Sequence, residues 1–322
     1  MRVISLLPSA TECLAAIGAD HLLVGRSHEC DHPARLSDRP VLTEARTRFT
    51  SAAEVDQQVR DALGSGNSLY RLDTDRLREL RPDLIITQDL CDVCSIDLDT
   101  VRGVARTLDP EPRVLSLNPT TFEQVLDDLT TIGAAVGLRD RAVETVVALR
   151  ERFSCAADHV TPFAEPVRTL FLEWTDPLFA GGHWTPQLVE RAGGSHPANP
   201  TAPVENAGAG EGAHAAHRVA GKSAVIAPDD AARLEPRAII VCPCGLSLEQ
   251  TRAAARGDLL RADWFRRAPA FAAGRVALVD GNQMFNRPGP RLVDAFCWLV
   301  GFLNGRPELI PDGFPWEPMD LD

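Results

Sequence analysis

The chain has 322 residues, 44% of them hydrophobic, enough to bury one large core or two of medium size. A formal net charge of −12, with no cationic stripe, excludes a nucleic-acid binder, because neutralising phosphates needs a basic face. No window of about 18 apolar residues exists to cross a membrane.

Met1-Arg2 passes directly into a strand from Val3 to Leu7, and Pro8 and Glu12 interrupt the apolar run too early for the h-region of a secretory signal. The expected compartment is therefore the cytoplasm, with the periplasm or cell surface as the alternative if a native N-terminus was trimmed. Eight cysteines without a compact spacing framework fit the same reducing compartment. Ser9-Ala-Thr-Glu12 predicts a capping box, and the helix it opens carries Leu14 and Ile17 on one face and stops at Gly18. Leu22 to Arg26 reads as a second strand. It ends in Ser27-His28-Glu29-Cys30-Asp31-His32-Pro33, which lacks any hydrophobic period and is expected to be a loop. Residues 34 to 68 are polar and irregular apart from a helix from Ser51 to Ala62. Asp75 to Leu80 reads as a helix and Leu84 to Thr87 as a strand.

A strand from Val114 to Leu117 leads to Pro119-Thr120-Thr-Phe-Glu123, a second capping box, and to a helix with Phe122, Val125, Leu126, Leu129 and Ile132 on one face. Gly137 ends it. A long helix follows from about Arg139 to Asp158, with Val143, Val146, Val147, Arg150 and Phe153 at helical spacing, and is expected to connect two lobes. A single helical connector resists hinge bending, so modest lobe closure is expected. The second lobe opens with a strand from Val167 to Glu173. A helix begins at Thr185 with Pro186 at its first position, and residues 195 to 221 read as a long surface loop. The last helix opens at Pro290 and carries Leu292, Val293, Phe296, Trp298, Leu299 and Phe302. The expected domains are an N-terminal α/β lobe over 1–137, the connecting helix over 138–160, a C-terminal α/β lobe over 161–305 and a Pro-rich acidic tail over 306–322.

The two halves repeat one another. Leu80-Arg-Pro-Asp-Leu-Ile-Ile-Thr87 runs into Gln88-Asp-Leu-Cys-Asp-Val-Cys94, as Leu234-Glu-Pro-Arg-Ala-Ile-Ile-Val241 runs into Cys242-Pro-Cys-Gly245. Arg2-Val-Ile-Ser-Leu-Leu7 matches Arg168-Thr-Leu-Phe-Leu-Glu173, and Arg113-Val-Leu-Ser-Leu117 matches Arg275-Val-Ala-Leu-Val279. The offsets suit a duplicated α/β domain rather than a solenoid. Two related lobes imply a cleft, and ligands of such units bind at the carboxyl ends of the strands. Those ends carry Ser9, Cys91, Cys94, Trp174, Cys244 and Asn282.

Several chemistries are open at these positions. Cys91-Asp-Val-Cys94 has redox spacing, although the flanking aspartates disfavour a thiolate. Cys30, Cys91, Cys94, His183 and Cys244 could supply a soft metal site if their loops converge, and equally could be small buried residues. Trp174 and Trp184 read as a wall that could stack on a planar ligand, with Phe285 on the opposite repeat, whereas Trp264 and Trp298 read as core. Paired carboxylates such as Glu29, Asp31, Asp89, Asp92 and Glu173 leave a hydrolase open. No nucleophile elbow, P-loop or dinucleotide fingerprint is present, so no enzyme motif is found.

Ile4-Ser-Leu-Leu-Pro-Ser-Ala-Thr-Glu12, Val24-Gly-Arg-Ser-His-Glu-Cys-Asp31, Thr87-Gln-Asp-Leu-Cys-Asp-Val-Cys94, Phe171-Leu-Glu-Trp174, Gly182-His-Trp184, Pro243-Cys-Gly245, Val279-Asp-Gly-Asn282 and Arg287-Pro-Gly-Pro290 together resemble the cobalamin-binding branch of the iron-siderophore and cobalamin substrate-binding proteins. The cysteine motifs resemble a narrower subgroup. The resemblance implies an α/β fold of two Rossmann-like lobes joined by a long connecting helix, of the class III periplasmic-binding-protein type. It also implies a non-enzymatic binder of cobalamin or a related corrinoid that works with an ABC permease; the chain is expected to be a monomer. On that reading Trp174, Trp184 and Phe285 cover the macrocycle, and Ser9, Glu29, Asp92, Asn282 and Arg287 meet its amides. Cys30, Asp31, Cys91, His183 and Cys244 complete the site, with no metal ion assigned to them. The alternatives are a thiol- or metal-dependent enzyme built on the cysteines and a haem or siderophore binder.

Overall fold

Short runs of aliphatic and β-branched residues bounded by polar turns dictate buried parallel strands, and helices of mixed polarity dictate their cover. The computed structural model describes residues 1–65, 68–89, 96–204 and 218–320. It divides into a first unit of residues 1–50, 54–119 and 124–148 and a second of 51–53, 120–123 and 149–322.

The first unit is built on β1 (Val3–Ser5), α1 (Pro8–Ala16), β2 (Leu23–Arg26), β3 (Thr43–Ala45), α2 (Ala52–Gly64), β4 (Tyr70–Leu72), α3 (Thr74–Leu80), β5 (Leu84–Thr87), α4 (Leu98–Ala105), β6 (Arg113–Ser116), α5 (Phe122–Ala135) and α6 (Arg139–Ala157). Its main sheet is parallel throughout, in the order β2-β1-β5-β6, with Ile4 beside Ile85 and Ile85 beside Val114. Ile4, Leu6, Leu77, Ile85, Ile96 and Val101 form one core cluster. An antiparallel pair joins β3, inside the stretch expected to be irregular, to β4 just beyond it.

The second unit continues with β7 (Val167–Thr175), β8 (Leu178–Ala180), α7 (Trp184–Arg191), β9 (Gly194–Ser195), β10 (Ala202–Pro203), β11 (Arg218–Val219), β12 (Ala224–Val225), α8 (Pro228–Arg233), β13 (Ala238–Val241), α9 (Leu248–Ala254), α10 (Asp263–Arg267), α11 (Pro269–Ala272), β14 (Val276–Val279), α12 (Leu292–Asn304) and β15 (Trp316–Pro318). The sheet order is β12-β8-β7-β13-β14-β15, with β9 also beside β7. Leu170, Leu172, Ile239, Val241, Val276 and Leu278 pack on Ala255, Leu259 and Phe265. Trp298 of α12 stacks on Phe302 and Phe314 and meets Trp316 edge-on.

Five expectations need correction. Pro8 occupies the first turn of α1 with Leu7 as N-cap and no side-chain cap, so Ser9-Ala-Thr-Glu12 is not a capping box: a proline fixed near helical φ starts the helix two residues earlier. The buried stripe of α6 is Ala142, Val146, Leu149, Phe153 and Ala156, whereas Val143 and Val147 are 45% and 50% exposed. Small alanines fill the tight positions there, which a search for large apolar residues overlooks. Helix α7 starts at Trp184, placing Pro186 at its third position. Residues 195–221 are not all surface loop, since His196 is 1% exposed and β10 and β11 fall within them. The acidic tail over 306–322 is tied into the fold: β15 pairs antiparallel with β14, and Met319 is buried.

Half-buried Asp128 and buried His196 give the fold opposite responses to pH. Burial, reinforced by Asp127, pushes the Asp128 carboxyl up to about 7. The neutral form is the one that fits, so this contribution is whole below the ordinary carboxylate range and is lost as pH rises through about 7. His196 is held below the usual imidazole range, mainly by burial, and its Nε2 accepts from Phe171 N at 3.2 Å. Its contribution is whole above the ordinary imidazole pKa of about 6.5 and is lost as pH falls. Urea unfolding at pH 5 and pH 8 should therefore show Asp128→Asn gaining stability over the parent chiefly at pH 8, and His196→Gln flattening the loss at pH 5. A separate constraint is steric: a Cβ on Gly281 would lie 1.9 Å from the Pro243 carbonyl oxygen. Gly281→Ala should cost at least about 1–3 kcal/mol, read as a lowered urea midpoint by tryptophan fluorescence.

Candidate functional site

The carboxyl ends of β1 and β2 bring a set of hydroxyls and one imidazole together in the first unit. Thr43 Oγ1 accepts from His28 N at 3.1 Å, contacts His28 Nδ1 at 2.8 Å and donates to Ser27 Oγ at 2.9 Å. With the Thr43 proton directed to Ser27, Nδ1 carries the imidazole proton and Nε2 the lone pair. Burial, against the opposing pull of Glu44, holds His28 below the usual imidazole range, and Arg26 adds to the lowering. Glu29 is half-buried and accepts from Tyr70 OH at 3.3 Å. Thr43 and Tyr70 were not among the expected site residues. The β3–β4 pairing brings them here, and the only hint in the sequence was that Tyr70 is the sole tyrosine.

The other first-unit candidates separate by burial. Ser9 is 3% exposed inside the first turn of α1. Cys30 is 1% exposed, with its sulfur 3.1 Å from Thr11 Oγ1, and is a small buried residue rather than a surface ligand. Asp31 is exposed. Cys91, Asp92 and Cys94 lie outside the described residues.

In the second unit, the end of β7 and the corner before α7 make the most constrained feature. Thr185 N donates to Gly182 O at 3.0 Å, closing a turn with His183 at its second position. His183 has φ 53° and ψ −119°. These are the angles of a type II′ turn, whose second position favours glycine. A β-carbon there costs on the order of 1–3 kcal/mol, and residues held in such geometry cluster at ligand sites. The imidazole is half-buried, 5.7 Å from the Trp184 ring, and held below the usual range mainly by burial and then by Lys222. A neutral imidazole has a nitrogen lone pair to offer a metal centre. Trp174 is half-buried nearby in sequence, its indole N–H shared between Ala52 O and Asp176 O at 3.1 Å each.

Two aromatics expected to cover a ligand are instead interior. Trp184 is 6% exposed and donates from Nε1 to Phe285 O at 2.7 Å. Phe285 is 1% exposed, with its ring edge-on to Phe171 and to Trp298. The indole N–H needs an acceptor once buried, and the left-handed backbone of Phe285, φ 60°, supplies it. At the ends of β13 and β14, Arg287 is 6% exposed and donates to half-buried Asn282 Oδ1 at 3.1 Å. Cys244 is exposed, while buried Cys242 has its thiol pushed well up by desolvation. Among the described residues no three His, Cys, Asp or Glu side chains gather as a metal site. His28 and His183 are each half-buried with the imidazole held below its usual range, and each can offer a ring nitrogen to a ligand.

No curated protein matches the chain in sequence. Among solved structures it is similar to the periplasmic haem-binding protein RhuT from Roseiflexus sp. RS-1, at 18% identity and TM-score 0.66, over 95% of this chain and 98% of that one. It is similar also to the periplasmic vitamin B12 binding protein BtuF of Vibrio cholerae, at 17% identity and TM-score 0.63, over 95% and 98%. A third similar structure is the periplasmic haem-binding protein HutB of Vibrio cholerae, at 15% identity and TM-score 0.67, over 94% and 98%. At these identities the likeness establishes the α/β fold. The sequence profile of the family described as periplasmic binding protein matches residues 3–282, and the chain belongs to that family.

Proposed function

We propose that the protein is a non-enzymatic binder of a metal-centred macrocycle, a corrinoid such as cobalamin, and that it serves an ABC permease. The observation that carries this reading is His183. A histidine stands where the backbone asks for glycine, and its half-buried imidazole is kept neutral. The ring is half-buried against Trp184 and lies outside the core, and a ligand that uses the ring nitrogen accounts for a strained histidine at this corner. The axial position of a corrinoid cobalt or a haem iron takes such a nitrogen. The printed names of the haem-binding and vitamin B12-binding structures of like fold support the same ligand class. The motifs around Cys30, Trp174 and Pro243-Cys-Gly245 favour the corrinoid within it. Half-buried Trp174 offers ring surface, and half-buried Asn282, oriented by Arg287, offers an amide suited to peripheral amides.

Titration of the reduced protein with hydroxocobalamin, and separately with hemin, tests the reading. Hydroxocobalamin should quench tryptophan fluorescence saturably at one equivalent and shift the visible corrin bands. His183→Gly should fold at least as stably, because glycine adopts the corner without strain, yet lose the band shift. Saturation with hemin alone would overturn the corrinoid assignment in favour of haem, and saturation with neither would overturn the whole reading.

A further inference from the structure

Gly221-Lys222-Ser223 crosses directly over the corner that presents His183. A Cβ on Gly182 would lie 2.2 Å from Ser223 N and 2.5 Å from the Lys222 carbonyl carbon, so two backbones touch with no side chain between them. His183 N donates to Gly221 O at 2.9 Å. Two side chains staple the contact. Asn199 Nδ2 lies 3.1 Å from Gly181 O, 3.2 Å from Gly221 O and 3.1 Å from Lys222 O, and Asn199 Oδ1 accepts from Gly221 N at 3.2 Å. Glu173 Oε1 accepts from Gly182 N at 3.3 Å, while Glu173 Oε2 accepts from the Ser223 hydroxyl.

The strap itself has little apolar surface to hold it down. Gly221 and Lys222 are exposed, and Ser223 is half-buried. Its attachment therefore depends on these polar bonds rather than on burial. The corner beneath it is a turn that a histidine would leave by rotating the peptide between residues 182 and 183. That rotation would move Gly182 and His183 against the strap backbone and break the His183 N to Gly221 O bond.

We infer that Asn199 and the Gly221–Ser223 strap are the positioning device for His183, holding it in the glycine-type conformation that aims its imidazole at the ligand's metal. The aim toward a metal rests on the function proposed above; the mechanical coupling does not. Asparagine is suited to the task because one planar amide shares its two N–H donors among three carbonyls and accepts from a backbone amide. Aspartate would face the same carbonyls with acceptors only.

A double-mutant cycle between residues 183 and 199 tests the coupling in the ligand-free protein. If the strap holds strain, Asn199→Ala lets His183 relax, so its loss in urea midpoint should be smaller in the parent than in the His183→Gly background, where no strain is released. Equal losses in both backgrounds would overturn the inference and leave Asn199 a simple staple. The second readout is spectroscopic: Asn199→Ala and Asn199→Asp should keep saturable quenching by hydroxocobalamin or hemin but lose or weaken several-fold the imidazole-ligation bands. Unaltered bands in both variants would likewise overturn it. If the parent protein shows no ligation bands with either compound, the functional reading fails while the cycle still decides the coupling.

Discussion

A parallel strand leaves its carboxyl end without a ladder partner, and those backbone groups must be satisfied by something else. The protein answers this one demand repeatedly, and its candidate site is the result. Beyond β13, Cys242 N and Cys244 N turn back to Leu172 O and Glu173 O at 2.9 and 3.1 Å. Asn286 Nδ2 spans Cys242 O and Gly281 O at 3.2 and 2.8 Å. Asp280 accepts from Gln283 N at 2.9 Å and from Leu248 N at 3.3 Å, fixing the loop after β14 and the start of α9 together. Side chains committed in this way are unavailable for ligand contact, which is why the polar groups at the strand ends divide into those that build the floor and those that face outward.

The same division explains the aromatics. Trp184 and Phe285 are committed to one another through the indole N–H and a left-handed carbonyl, so neither ring is free to meet a ligand. His183, one residue earlier, is held out of the core because the turn that starts α7 points the chain inward immediately after it. Strain at 183 and burial at 184 are two sides of a single corner. The strap over Gly182 then closes the backbone from the other side, and Gly182 is required there by contact rather than by φ.

The sequence made the central strands legible because they are continuous apolar runs: β1, β2, β5, β7, β13 and β14 fall within a few residues of expectation. Edge elements were not. β3, β4 and β15 are each three residues long, too short to carry a period, and Trp316-Glu317-Pro318 looks like tail composition until its pairing with β14 is seen. In α6 the error was one of face, because Ala142 and Ala156 are core residues by virtue of being small. At the site, His183 was legible as a histidine beside a strand end, but its conformation depends on Asn199 and Gly221, which are 16 and 38 positions away in the chain. The Thr43 hydroxyl that orients His28 is equally remote, and no local spacing encodes either partnership.

The pairing of β15 with β14 also fixes an order of events during synthesis. All four strands of the first sheet have been made once residue 116 has been added, whereas the second sheet lacks an edge until residue 318 emerges. Until then β14 has a bare side, and Trp298 lacks the Phe314 and Trp316 rings that later cover it. A nascent chain stalled between these points carries an assembled first sheet beside an apolar, sticky second one, a state in which holdase chaperones have something to bind.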